Sequence, residues 1–249
     1  MKRFVMSLMI VVLVVIVAGC SVTQGPQQKP AAQKPVAQAT YNDGTYQGTS
    51  DVDDHGYSVA VVTINKGKIS KVGLSEIIEL GVEKDFSSYK YEPSVKANKE
   101  MGQRFVETNS AEVDDFSGAT ISSMNYKQAV ARALEKAKVN PSVSTRYFDG
   151  VFMGKSSDSD YGYSLASLAI VTIENDKVTA VELKEVTENG EFKDYNTYPW
   201  QEAVDAHKEL PAKFVETNGG PVDNVSGATH STKSWNEAVA NALKLAETK

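Results

Sequence analysis

The sequence contains one long segment twice, and this repeat limits the folds that the chain can adopt. Phe105–Asn109 reads Phe-Val-Glu-Thr-Asn and recurs at Phe214–Asn218, 109 residues later. Nearer the start of each copy the offset is 106, because Asp43-Gly44-x-Tyr46-x-Gly48 corresponds to Asp149-Gly150-x-Phe152-x-Gly154. Gly56-Tyr57-Ser58 also matches Gly162-Tyr163-Ser164 at the offset of 106, so the second copy is predicted to have three extra residues between Ser164 and Ile173. A repeat of this length that occurs only twice predicts two tandem domains and not a solenoid of short units.

Each copy begins with β-branched runs and ends with helical periodicity. Two runs joined by turn residues predict a hairpin in each copy. The predicted strands are 57–65 and 69–78 in the first copy and 165–174 and 178–186 in the second. Helices are predicted to begin near Pro93 and Pro199, with Pro211 kinking or splitting the second of these, and a last helix closes each copy. The order predicts an α+β class: two tandem repeats, each a small antiparallel sheet with helices packed on one face.

A seven-residue motif, Asp-x-x-Ser-Gly-Ala-Thr, stands directly before the last helix of each copy. Its shared residues are Asp114, Ser117, Gly118, Ala119 and Thr120 in the first copy, and Asp223, Ser226, Gly227, Ala228 and Thr229 in the second. A helix start favours an anion, because its first N–H groups lack intrahelical partners and the helix dipole is positive there. The glycine, which lacks a Cβ, allows close approach of a ligand. The Thr hydroxyl can cap the helix, hydrogen-bond a phosphate or be esterified by one.

The doubled motif resembles the acceptor motif of the FMN-binding domain family, in which a flavin transferase joins FMN through its phosphate to the Thr hydroxyl. The resemblance covers roughly residues 41 to 249. It implies covalent FMN on Thr120 and on Thr229, two per chain, with the other shared motif residues as recognition context. The two-copy layout is similar to that of the flavinylated surface lipoproteins of Gram-positive extracellular electron transfer.

This resemblance implies a redox carrier more than a substrate-specific enzyme. Electrons are expected to come from a membrane donor, a quinol or a dehydrogenase, and to leave to extracellular acceptors or partner reductases. The alternative is a surface lipoprotein module that binds a phosphorylated or anionic ligand reversibly, without redox function. A flavoenzyme with its own substrate and a plain cell-surface spacer are further alternatives, but the former lacks an evident proton donor and the latter leaves the doubled motif unexplained.

The first 40 residues indicate export and anchoring. Lys2 and Arg3 precede an apolar run from Phe4 to Ala18, which at about 15 residues is short for a membrane span of about 20. A basic start before such a run indicates a secretory signal peptide over residues 1–19. Val-Ala-Gly-Cys resembles a lipobox, which implies lipidation of Cys20. A plain signal peptide and an uncleaved anchor with an incidental cysteine are the alternatives.

The predicted domains follow from this anchor. Residues 20–40, rich in Gln, Pro and Ala, are expected to form a disordered, lipid-anchored tether. Domain 1 is predicted at 41–140 and domain 2 at 141–249, with the short Asn-Pro-Ser-Val-Ser segment at their boundary. The expected location is the extracellular face of the cell membrane.

The net charge, the single cysteine and the histidines argue against several other classes of function. The formal net charge is −6 and no basic stripe is present, which argues against a nucleic-acid partner. The single cysteine excludes an intramolecular disulfide, and the three histidines have no metal-ligand spacing, so no metal site is predicted. His230 follows Thr229 where the first copy has Ile121, so the electrostatics of the two motif sites are expected to differ.

Overall fold

The computed structural model of the protein describes residues 40–157 and 165–249. The predicted signal peptide, Cys20 and nearly all of the tether lie outside the described residues. Repeat 1 comprises β1 (Gly44–Thr49), β2 (Tyr57–Asn65), β3 (Lys68–Ile77), α1 (Glu92–Thr108) and α2 (Thr120–Ala137). Repeat 2 comprises β4 (Gly150–Lys155), β5 (Ala166–Glu174), β6 (Lys177–Val186), α3 (Gln201–Glu216) and α4 (Thr229–Ala246). Within these ranges no helix combines the length and the apolar character that a membrane crossing requires.

Each repeat is a three-stranded antiparallel sheet covered by two helices, in the strand order β1-β2-β3 or β4-β5-β6. In repeat 1, α2 packs on β1 and β2 while α1 packs on β3. Alternate residues of β2, namely Ser58, Ala60, Val62 and Ile64, are buried under these helices. The predicted α+β class and its two tandem repeats are therefore confirmed.

The shared Phe-Val-Glu-Thr-Asn segment fastens the end of the first helix to the sheet. Asn109 and Asn218 both adopt left-handed backbone angles, with φ of 51° and 55°. The Oδ1 of Asn109 accepts a hydrogen bond from the Ile69 amide at 2.7 Å, and that of Asn218 accepts one from the Val178 amide at 2.8 Å. Each asparagine thus closes the helix, because its short polar side chain tolerates this conformation. It also fixes the start of the second hairpin strand, β3 or β6.

The strands β1 and β4 are not predicted by the sequence, since each is short and carries two glycines. Gly48 explains this composition: a Cβ added to it would lie 2.2 Å from the carbonyl oxygen of Ala129 in α2. At Gly154 the corresponding distance to the carbonyl oxygen of Ala238 in α4 is 2.0 Å. The glycines therefore let the last helix of each repeat lie directly on the strand backbone.

Of the predicted kink or split at Pro211, the split does not occur, because α3 runs unbroken through this residue. A proline removes one helical hydrogen bond and crowds the preceding turn, at a cost of about 3 kcal/mol. Leu210 and Phe214 on either side of it are fully buried against the sheet. Their burial, at about 1.5–3 kcal/mol for each side chain, offsets that cost.

The two repeats belong to one compact unit and are joined by a buried arginine. Arg132 of α2 donates hydrogen bonds to the Thr49 carbonyl at 2.9 Å, to Asp51 Oδ1 at 2.7 Å and to the Asp149 carbonyl of the neighbouring repeat at 2.8 Å. Its guanidinium also lies 4.7 Å from the ring centroid of Phe152. Asp51 Oδ1 accepts a further bond from the Val151 amide at 3.1 Å. One buried cation thus links backbone groups of both repeats.

A small apolar cluster completes the junction. Met153, Leu168 and Val186 of repeat 2 are buried, and partly buried apolar residues of repeat 1 pack against them. Because of this contact both faces of the first half of β5 are buried, whereas β2 keeps one partly exposed face. The outer face of the second sheet is therefore an interface between the repeats.

Candidate functional site

The Asp-x-x-Ser-Gly-Ala-Thr motif forms the same loop in both repeats. Gly118 and Gly227 each have a φ of 79°, a left-handed angle that favours glycine. A Cβ at Gly118 would also lie 3.1 Å from Pro93 Cβ. The missing Cβ therefore faces the start of the preceding helix. This packing differs from the ligand approach that the sequence suggested for the glycine.

Thr120 is the first residue of α2, and Thr229 is the first residue of α4. The N-cap positions belong to Ala119 and Ala228, and no side chain caps either helix. The interpretation of these threonines as N-caps is therefore wrong. Within the described residues neither threonine hydroxyl has a hydrogen-bond partner. Each helix start thus offers free N–H donors beside an unpaired hydroxyl.

A hydroxyl one turn into each helix stabilises the motif loop. In repeat 1, Ser123 Oγ accepts from the Phe116 amide at 2.9 Å and donates to the Ala119 carbonyl at 2.8 Å. Thr232 occupies the equivalent position in repeat 2 and donates to the Ala228 carbonyl at 2.9 Å. The loop is therefore closed onto its own helix before any ligand is considered.

An aromatic side chain from the preceding helix start holds the motif glycine. The Tyr91 hydroxyl donates to the Gly118 carbonyl at 2.8 Å, and the Trp200 indole Nε1 donates to the Gly227 carbonyl at 2.7 Å. Tyr91 and Trp200 are 109 residues apart, so they are equivalent positions with different aromatic residues. The offset between the repeats is the signal that identifies this pair, although the two residue types differ.

A cleft of about 570 Å³ lies beside Thr120 in repeat 1. Its apolar lining includes Tyr57, Ile78, Tyr89, Tyr91 and Ile121, and its polar lining includes Asp53, His55, Glu76, Lys84 and Asn125. Gly118 and Ala119 also line it, so the last three residues of the motif meet at one cavity. The cleft is large enough for an aromatic ring system and opens directly next to the free helix N–H groups.

A buried polar network forms one side of this cleft. Lys84 Nζ lies 2.7 Å from Glu76 Oε2, and the Tyr126 hydroxyl donates to Glu76 Oε1 at 2.7 Å. Burial and the adjacent Glu76 carboxylate raise the pKa of the Tyr126 phenol, which keeps it protonated as a donor. Burial alone would lower the pKa of Lys84, but the hydrogen bond to Glu76 raises it above its ordinary value. The cleft therefore contains a permanent ammonium group.

Repeat 2 retains the charged pair but surrounds it differently. Lys193 and Glu185 form the equivalent ion pair and are both nearly fully buried. His207 stacks on Tyr195, with ring centroids 3.9 Å apart and an interplanar angle of 9°. Trp235 replaces the tyrosine that donates to the glutamate in repeat 1. Ala166 and Ser167 take the places of Tyr57 and Ser58, because β5 begins opposite Val186 as β2 begins opposite Ile77. The three extra residues of repeat 2 therefore precede Ala166, and not Ile173 as the sequence suggested. Most of the segment equivalent to Asp53–Gly56 lies outside the described residues.

The remaining motif residues do not line the cleft. Asp114 borders a different surface depression together with Arg104 and Glu107. Ser117, Asp223 and Ser226 are exposed. The structure therefore brings together only the Gly-Ala-Thr part of the predicted site, and it leaves the Asp and Ser side chains accessible. Across residues 40–157 and 165–249, no group of three or more His, Cys, Asp or Glu side chains is arranged to hold a metal ion.

Comparison with protein-family models finds a match in each repeat. The family model described as FMN-binding domain matches residues 55–135 and residues 162–244. Among solved structures, the chain is similar to the CPE2226 protein from Clostridium perfringens, with 24% sequence identity and a TM-score of 0.34 over 39% of this chain and 88% of that chain. The comparison with curated proteins gave no match. The two matched ranges each contain one hairpin, one motif and most of the last helix.

Proposed function

The chain belongs to the FMN-binding domain family, and on this premise we propose that it is a membrane-anchored extracellular electron carrier with FMN esterified to Thr120 and Thr229. The family match supports flavin binding in both repeats. Beyond flavin binding, we propose that each flavin is held by a phosphoester bond, that the chain carries two flavins and that it transfers electrons. The flavin ring, when bound, accepts and releases electrons, while the protein supplies position and electrostatics.

The observation that carries the proposal is the same in both repeats: an unpaired Thr hydroxyl at an uncapped helix start. An esterified phosphate at Thr120 retains negative charge, which the free N–H groups and the helix dipole stabilise. The cleft beside it provides Tyr57, Tyr89 and Ile78 as apolar walls for the flavin ring. The residues of repeat 1 therefore fit both ends of FMN.

Lys84 gives this cleft a defined electrostatic role. A cation that is kept charged by Glu76 stabilises negative charge on a reduced flavin more than it stabilises the neutral oxidised ring. The retained Lys193–Glu185 pair suggests the same role in repeat 2. We infer that the pair sets the potential of each flavin and does not act as a proton donor to a substrate.

Maturation and partners complete the proposal. A separate flavin transferase would form the ester, and the exposed Asp114, Ser117, Asp223 and Ser226 supply a surface that it can recognise. Lipidation of Cys20 would hold the repeats at the extracellular face of the cell membrane. Electrons would arrive from a quinol or a dehydrogenase in that membrane and leave to extracellular acceptors or partner reductases.

Denaturing gel filtration followed by a visible spectrum separates this proposal from the reversible anion-binding alternative. The chain is exported from a host that also expresses a flavin transferase. We expect flavin absorbance to stay with the denatured parent chain and to disappear in the double variant that carries both Thr120→Val and Thr229→Val. The variant Thr108→Val, Thr217→Val changes threonines at helix ends outside the motif and should retain the colour. Loss of all flavin from the denatured parent chain, with a working transferase control, would favour the reversible module.

A further inference from the structure

A second cleft lies between the two repeats, away from the motif residues. It has a volume of about 470 Å³, and β1 and α2 of repeat 1 and β4 and α4 of repeat 2 contribute to its lining. Neither threonine of the motifs lines it. The cavity therefore exists only because the repeats are joined in one unit.

The lining of this inter-repeat cleft is basic, although the chain as a whole is acidic. Lys136, Lys155, Lys244 and Lys249 line it, against a single carboxylate side chain, that of Glu247. The Glu247 carboxylate lies 3.6 Å from Arg146 Nη2, so its charge is shared with a residue outside the cleft. In a chain with a net charge of −6, this concentration of lysines is a local positive potential.

Two of these lysines have no carboxylate in direct contact, although the charge of Glu247 attracts Lys136 through space. Within the described residues neither Lys136 nor Lys244 forms an ion pair. Burial lowers the pKa of Lys136 because desolvation disfavours the charged form; Glu247 opposes this shift and Arg132 adds to it. An anion beside it would remove this penalty.

The other residues that line the cleft indicate which ligand groups it could accept besides negative charges. Tyr57, Met153 and Leu245 provide apolar surface, so the cleft is not simply a charged groove. Thr49 also lines it, and its hydroxyl oxygen is buried without a hydrogen-bond partner. Buried polar atoms are nearly always paired, so an unpaired hydroxyl in a cavity lining is available to a ligand oxygen or to water.

We propose that the inter-repeat cleft binds a small organic anion that carries at least two negative charges on an apolar body. The lysines Lys136 and Lys244 recognise the charges, and Tyr57, Met153 and Leu245 contact the body. The proposal goes beyond electron carriage and does not depend on flavin attachment, because no motif residue takes part; Tyr57, which also lines the cleft beside Thr120, is shared by the two sites.

Isothermal titration of naphthalene-1,5-disulfonate into the full chain, at low ionic strength, tests this site. The neutral naphthalene-1,5-diol is the matched ligand. We expect the disulfonate to bind with one-to-one stoichiometry and the diol to bind at least tenfold more weakly. The double variant that carries both Thr120→Val and Thr229→Val cannot be flavinylated at these residues and should bind the disulfonate equally well. Failure of the flavin proposal and failure of this one are therefore distinguishable.

Lysine variants locate the binding site. Lys136→Gln and Lys244→Gln should each weaken disulfonate binding about fivefold to tenfold, because each removes one unpaired cation from the cleft. Lys99→Gln, an exposed position on α1, is the matched control and should change affinity less than twofold. Circular dichroism establishes that each variant is folded.

Amide chemical shifts on adding the disulfonate provide the second measurement. The shifts should concentrate at Thr49, Gly154 and Asn241, which line the cleft. Equal affinity for the disulfonate and the diol would overturn the proposal. It would also be overturned by equal losses in Lys99→Gln and Lys244→Gln, or by shifts confined to other surfaces.

Discussion

Replacing Arg132 with methionine should both destabilise the protein and uncouple its two repeats. Arg132 is only 8% exposed and donates three hydrogen bonds, one of them to the Asp149 carbonyl of repeat 2. Methionine retains most of the apolar volume that packs on Phe152. The change therefore isolates the loss of the guanidinium and its donors.

The loss of stability depends on how well the Asp51 carboxylate remains solvated once the guanidinium is gone. Removing one partner of a buried ion pair costs about 3–5 kcal/mol. The Asp51 side chain is 41% exposed, and it keeps bonds from Gln128 and Val151, so its charge remains partly solvated. The lower end of that range, about 3 kcal/mol, is therefore expected. The equivalent residue of repeat 2, Asn241, donates one bond to the Lys155 carbonyl, and Asn241→Ala should cost only about 1 kcal/mol.

Urea denaturation with two probes measures both effects. The only two tryptophans, Trp200 and Trp235, lie in repeat 2, so their fluorescence reports that repeat, while far-ultraviolet circular dichroism reports both. The parent chain should give coincident transitions, and Arg132→Met should separate them. Coincident transitions in Arg132→Met with a loss below about 1 kcal/mol would refute the role given to this residue.

Three further substitutions follow from the same structure. Gly48→Ala should lower the free energy of unfolding by about 3 kcal/mol, because its Cβ would meet the Ala129 carbonyl. Gly73→Ala should be neutral, because its Cβ would lie 4.0 Å from the Val61 carbonyl oxygen, an ordinary van der Waals contact. Equal melting temperatures for the two variants would contradict this packing. Thr49→Val should stabilise the free protein by about 1 kcal/mol in urea denaturation by removing an unpaired buried hydroxyl, and a loss would show that the hydroxyl is satisfied. Burial raises the pKa of Tyr57 to about 12, above about 10 in the unfolded chain. The stability that this group contributes is therefore complete below pH 10 and falls as the pH rises towards 12, by about 1.4 kcal/mol per pH unit. Tyr57→Phe should remove only the part of the fall between pH 9 and pH 11 that Tyr57 contributes, because Tyr126 also has a raised pKa. An unchanged slope of the urea midpoints over this range would argue against burial of the Tyr57 phenol.

The hairpins were predictable because their chemistry is local. β-branched runs around Lys-Gly or Asn-Asp turns are sufficient to define them, and β2 occupies the predicted residues 57–65. The position of the threonine at a helix start was also predictable from the apolar periodicity that follows it. Its distinction from an N-cap was not, since that depends on the backbone angles of the preceding alanine, which sequence alone does not fix.

Features that depend on contacts between residues distant in sequence could not be predicted from local sequence patterns. Arg132 looks like an exposed helical residue, and only the packing of repeat 2 against α2 buries it. The Glu76–Lys84 pair was predictable in part. Its two residues are too far apart in sequence to form a local motif. The offset of 109 nevertheless repeats it as Glu185 and Lys193. Comparing every polar residue across that offset would have identified the pair before the structure.

The intact mass of the exported full chain measures flavin attachment at Thr120 and Thr229. The chain is produced with an active flavin transferase and compared with Thr120→Val, Thr229→Val and the double variant. We expect two flavin-sized mass increments on the parent chain, one on each single variant and none on the double variant. An unmodified parent mass, while a known acceptor protein in the same host is flavinylated, would contradict covalent attachment at these threonines.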